Sequence, residues 1–144
     1  MDTVASADGT TIAFDRFGDG PPVITAAGAF NTRSTTDPLA RALAPRFTAV
    51  NYDRRGRGDS GDTAPYAVER EIDDIAALIA QAGGSAAVFG HSSGATLALK
   101  AADSGLPITH LVLYEPPFNT DDTYPLLPVG FAAELDGLVS ADRR

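Results

Sequence analysis

The pentapeptide Gly90-His91-Ser92-Ser93-Gly94 sets a serine between two glycines, each two residues away. A serine hydroxyl is a weak nucleophile near neutral pH. The spacing therefore matters where the backbone lifts the hydroxyl into the open and donors await the charge it creates. A tight strand-to-helix turn meets both needs. Small flanking residues let the chain double back, and the free N–H groups of the new helix favour negative charge. On that geometry Ser92 is the candidate nucleophile, Gly90 and Gly94 are the elbow positions that must be small, and the Ser93 N–H is half of an oxyanion hole. The other half is expected in "AAGAF", where Gly28 permits close approach and the Ala29 N–H is the donor.

A serine nucleophile also needs a base within hydrogen-bond reach. The chain has two histidines and one lysine. His91 adjoins Ser92, but neighbouring side chains at a strand end point opposite ways, so it is expected to pack below the turn. His110 begins the apolar run "HLVLY", and five residues at about 3.3 Å each place it roughly 15 Å from the far, active end. Lys100 lies about 12 Å along the helix that follows Ser92. None serves as the base. A nucleophile and oxyanion donors without one predict slow acylation and no rapid turnover, so the chain alone is expected to be poorly active.

The elements that must hold these residues are legible as an alternation. "TVAS" and "TIAFDRF" flank an Asp8-Gly9 turn and predict an antiparallel pair, with Ile12, Phe14 and Phe17 on one buried side. "VITAAGAF", "FTAVNY", "AAVF" and "HLVLY" predict further strands. Asp37-Pro38 reads as a helix cap and first-turn proline, with Leu39, Ala42 and Leu43 facing inward before Pro45. Val68, Ile72, Ile75, Ile79 and Ala82 recur at helical spacing, and "SGATLALKAAD" is the helix after Ser92. This order predicts an α/β protein: a mostly parallel sheet with helices on both faces. Beyond Glu115, Pro116, Pro117, Pro125 and Pro128 punctuate a loop before a helical tail from Gly130.

Composition narrows the function classes. The chain has 144 residues, 44% of them hydrophobic, enough for one sizeable core. Nineteen acidic residues against eleven basic ones give a net charge of -8, which disfavours nucleic acid and anionic membranes as partners. With no cysteine there is no disulfide framework and no thiolate metal site. No signal peptide or membrane-length apolar run is present, so a cytoplasmic protein without cofactor or metal is the expectation.

"GHSSG" after a strand, "AAGAF" after the third strand and "YDRRGRGDSGD" after the fourth together resemble the α/β-hydrolase family. The likeness follows the chain in order over nearly its whole length. Its oxyanion loop departs from the family's usual His-Gly start, having Ala27-Gly28, so the backbone donor carries over and the histidine does not. The resemblance implies a serine hydrolase of esterase-like type, acting on a small uncharged ester. It also implies that residues 1–117 are the N-terminal part of the core, lacking the last two strands, and that 118–144 begin a cap or lid. In some members the triad acid stands at the end of the sixth strand, where this chain has Glu115. That carboxylate equally suits fixing the Pro116-Pro117 turn or lining a pocket rim. Asp53 is expected to anchor its own arginine-rich loop. The missing strands would leave the edge of "HLVLY" open to a second copy of the chain or to a complementing C-terminal half.

Other readings compete. "GRGDSG", Gly56 to Gly61, fits Gly-x-Gly-x-x-Gly, but a dinucleotide site needs an acid about twenty residues on, and Ala76 stands there. Its Arg-Gly-Asp tripeptide suits a turn better than adhesion without an export signal. The alternative of a different class is a non-catalytic protein whose pocket holds a small molecule or a partner.

Overall fold

Runs rich in Val, Ile and Ala gain most as strands packed between layers. The computed structural model describes residues 1–118, 121 and 128–141. In chain order these form β1 (Asp2–Ala5), β2 (Thr11–Phe17), β3 (Pro22–Ala26), α1 (Arg33–Leu43), β4 (Thr48–Tyr52), α2 (Val68–Gln81), β5 (Ala86–His91), α3 (Ser93–Asp103), β6 (Ile108–Tyr114) and α4 (Phe131–Ser140). The strands lie in the order β1-β2-β4-β3-β5-β6. β1–β2 and β2–β4 are antiparallel, and the pairs from β4 through β3 and β5 to β6 are parallel.

The period of two along each strand sorts the side chains into two layers. Ile12, Phe14, Ile24, Val50, Tyr52 and Val88 join Ile75, Leu78 and Ile79 of α2 and Leu97 and Ala98 of α3 in one core. Each of those large α2 side chains contributes about 1.5–3 kcal/mol by leaving water. The opposite face meets α1 through a polar node. Asn51 Oδ1 accepts from Thr25 Oγ1 at 2.7 Å and from Thr36 Oγ1 at 2.6 Å, and its Nδ2 donates to the Arg33 carbonyl at 2.8 Å. Helices thus cover both faces of a mostly parallel sheet, as the alternation predicts.

Three expectations are corrected. Phe17 does not share the side of Ile12 and Phe14, because an odd offset along a strand reverses the face; its ring is half-buried beneath the Arg41 guanidinium, 4.6 Å from the centroid. Helix α1 starts at Arg33, with Thr32 as N-cap, so Pro38 lies inside it. Thr32 makes no side-chain cap; instead Asp53 Oδ1 accepts the Arg33 N–H at 2.6 Å. A carboxylate twenty residues away thus satisfies the first helical N–H, and the local Asp37-Pro38 signal is overridden. The inward residues are Thr36 and Ala40, while Leu39 and Leu43 are half-buried and Ala42 is exposed.

Among the described residues β6 pairs with β5 alone, and Val112 and Tyr114 on its outer face are exposed. Phe131, Leu135, Leu138 and Val139 are exposed on α4. Pro125, predicted in the loop before α4, lies outside the described residues. No helix among them is long and apolar enough to cross a membrane.

Candidate active site at the end of β5

β5 runs out at His91, α3 begins at Ser93, and Ser92 between them has φ 54° and ψ -121°. That left-handed region is costly for a residue with a Cβ, about 1–3 kcal/mol. Among the described residues, the other non-glycine positions with positive φ are Phe30 and Glu115. They follow β3 and β6, the two neighbours of β5. Three strained residues therefore crowd the C-terminal edge of adjacent parallel strands, where ligands bind in open α/β sheets.

The turn is passable because it is bare of side chains. A Cβ on Gly90 would stand 2.4 Å from the Gly94 carbonyl oxygen and 2.5 Å from Ala95 Cα; one on Gly94 would stand 2.2 Å from the Ala26 oxygen. All are well inside van der Waals contact with backbone that cannot step aside. Gly28 brings the loop after β3 against the same turn: a Cβ there would meet His91 Nδ1 at 3.2 Å and Ser92 Cβ at 3.3 Å. As N1 of its helix, Ser93 has no intrahelical acceptor for its N–H. Neither that group nor the Ala29 N–H has a protein partner among the described residues.

Three arginines of the loop after β4 organise the surroundings. Arg54 grips Glu71 of α2 with two bonds of 2.6 Å, and its Nη1 also donates to the Ala27 carbonyl at 3.2 Å and Ser93 Oγ at 3.0 Å. Arg55 holds Asp74 at 2.6 and 2.8 Å and reaches Asp8 at 2.9 Å. Arg57 Nη1 donates to the Gly28 carbonyl at 2.8 Å. Burial pushes the Glu71 carboxyl up, but the Arg54 fork outweighs it and the Tyr66 hydroxyl adds to the pull, so the net shift is downward. Arg57 is shifted down by its burial and then by repulsion from Arg54.

The other sequence candidates scatter. Glu115 directly follows β6 and is exposed; the Ser92 N–H donates to the Tyr114 carbonyl at 2.9 Å, so the two turns adjoin. His91 lies half-buried on the sheet face away from α3, its ring centroid 5.6 Å from that of Tyr114. His110 is exposed near the start of β6 and Lys100 is exposed on α3. Among the described residues no histidine hydrogen-bonds the Ser92 hydroxyl. Asp53 accepts the Asp59 N–H of its own loop at 3.0 Å as well as capping α1. Gly56 to Gly61 closes on itself through the Gly56 N–H and Gly61 carbonyl, and the Gly61 N–H ties it to Thr11. Sequence reasoning missed Glu71 and Asp74, both buried on α2. The signal was available: acids three apart on the stripe that carries Ile75 and Leu78, opposite adjacent arginines in the preceding loop.

Residues 23–144 match the family model described as "Alpha/beta hydrolase family". An alpha/beta hydrolase from Sphaerobacter thermophilus, known from its crystal structure, is 59% identical with a TM-score of 0.96, over 99% of this chain and 55% of its own. N-formylmaleamate deformylase of Pseudomonas putida is 35% identical over 79% of this chain and 44% of its own length. 2-(Acetamidomethylene)succinate hydrolase of Mesorhizobium japonicum is 38% identical over 59% of this chain and 31% of its own. The chain thus spans less than half of either curated relative and about half of the solved one. Strand order, the turn at Ser92 and these matches agree, and the protein belongs to the alpha/beta hydrolase family.

Proposed function

We propose that this chain carries the nucleophile and oxyanion hole of a serine hydrolase of esterase-like type. The observation that carries the reading is the strained backbone of Ser92 between β5 and α3, with its hydroxyl free of protein partners among the described residues. In this reading Ser92 Oγ bonds to the acyl carbon of a small uncharged ester while its proton passes to a general base. The N–H groups of Ala29 and Ser93 hold the oxyanion. Its collapse expels the alkoxide, which takes the proton back, and water then frees the acyl group by the same steps.

The base is a histidine that this chain does not contribute. Nearly half of the Sphaerobacter relative lies outside the match, which supports a source in further sequence or in a second chain docked on the edge that β6 leaves unpaired among the described residues. Glu115, in the turn beside Ser92, is the candidate acid to orient that histidine.

A fluorophosphonate probe tests the assignment. The gene product, isolated from its source cell with any chain that accompanies it, is treated with the probe and the adduct located by peptide mass spectrometry. Adduct on Ser92 is the expected result. A folded sample that stays unlabelled overturns the nucleophile and favours a binding protein on the same scaffold.

A further inference from the structure

The Gly28 carbonyl and the Ala29 N–H belong to one peptide group, and a trans peptide points them in opposite directions. Whatever holds that carbonyl therefore aims that N–H. The weak turn bond from the Asn31 N–H, at 3.4 Å, leaves most of this task to Arg57 Nη1 at 2.8 Å. Resting on the serine-hydrolase reading, we propose that Arg57 is the positioning residue of the oxyanion loop, turning the Ala29 N–H toward Ser92.

Two further observations support the assignment. Arg57 is half-buried and has no carboxylate partner among the described residues, whereas Arg33, Arg54, Arg55 and Arg70 are all ion-paired. Glu71, already gripped by Arg54, is the carboxylate whose charge reaches Arg57; a half-buried guanidinium with no ion pair of its own costs stability, and a purely structural peg on a carbonyl needs no charge. Beside a forming oxyanion the same positive charge is favourable. Arg54, on the preceding carbonyl of Ala27, is already engaged by Glu71, so its charge is spent.

The test compares the gene product, expressed in its source cell, with its Arg57→Ala and Arg57→Lys variants. It reads the rate constant and half-saturation concentration of fluorophosphonate labelling at Ser92, beside thermal melting. Arg57→Ala is expected to slow labelling ~10- to 100-fold, since misaiming one oxyanion donor is a partial form of removing it. Half-saturation should stay unchanged, and Arg57→Lys, which keeps a cationic donor, should recover most of the rate. Wild-type rates in Arg57→Ala overturn the proposal, as does a lysine variant no faster than alanine. If neither variant folds, Arg57 is a folding peg and the proposal also fails. An unlabelled wild-type protein is a separate outcome: it removes the serine reading itself.

Discussion

The Ser92 N–H, one step beyond His91 at the end of β5, donates to the carbonyl oxygen of Tyr114, the last paired residue of β6, at 2.9 Å. The bond carries sheet pairing into the turn, so the strained serine hangs from the neighbouring strand rather than from a loop. It also sets Glu115, the next residue, beside that turn. A site mounted this way keeps its geometry for as long as β5 and β6 stay paired.

Relief of the strain at Ser92 is measurable. Ser92→Gly removes about 1–3 kcal/mol of backbone cost and adds roughly 0.5–1 kcal/mol of chain entropy on folding. The variant is expected to be more stable by about 1 kcal/mol in urea denaturation while losing all fluorophosphonate labelling. A less stable Ser92→Gly protein would mean that the hydroxyl is held by contacts the strain argument omits.

Gly94→Ala should go the other way. Its new methyl would stand 2.2 Å from the Ala26 carbonyl oxygen, forcing β3 and α3 apart, at a cost of about 1–3 kcal/mol or more. Gly137, whose Cβ position is open, is the control: Gly137→Ala should leave the denaturation midpoint unchanged or slightly raised, as alanine favours helix.

Glu71→Gln leaves the Arg54 guanidinium buried and uncompensated. A loss of about 3–5 kcal/mol is expected, since both partners are almost fully enclosed. Chemical denaturation of the variant against wild type reads it, and a loss under 1 kcal/mol would show that water reaches Arg54.

Acid should find the same pair. The Glu71 carboxyl lies below its ordinary value of 4.5 when folded, and Asp8, bonded to Arg55 and Thr10, is also shifted down. Between the folded and unfolded values the unfolded chain binds more protons, so stability rises with pH there. These contributions are complete above about pH 4.5 and fade as pH falls below it. Melting temperatures from pH 3 to 7 should show that slope, and Glu71→Gln should flatten it.

The six strands and the turn at Ser92 were legible because they depend on local patterns: period-two apolar runs, glycines two residues either side of a serine, and the helical stripe of α2. What escaped depends on partners distant in sequence. Asp53 caps α1 across twenty residues, so the local signal at Asp37-Pro38 misplaced the helix start. The Arg54–Glu71 and Arg55–Asp74 pairs bury acids that composition alone assigns to solvent. Phe17 was a simpler matter of parity, since its half-buried ring sits against Arg41 and a hydrophobic residue near a strand end invites the wrong face. The bonds of Arg54 and Arg57 to the Ala27 and Gly28 carbonyls had no sequence signal, because any donor of the right reach can find a carbonyl.

The Asn51 node guards against a folding error that apolar packing tolerates. Parallel strands of Val, Ile and Ala can slip by two residues and still bury every side chain on its proper face. In the native register Asn51 stands opposite Thr25; a two-residue slip of β4 along β3 would set it opposite Val23 or Ala27. The Thr25 hydroxyl and the Asn51 amide would then be enclosed without each other, at about 1–3 kcal/mol for each group left unsatisfied. One asparagine thus singles out the native alignment of β3 and β4, the strands from which the sheet extends to the turn that carries Ser92.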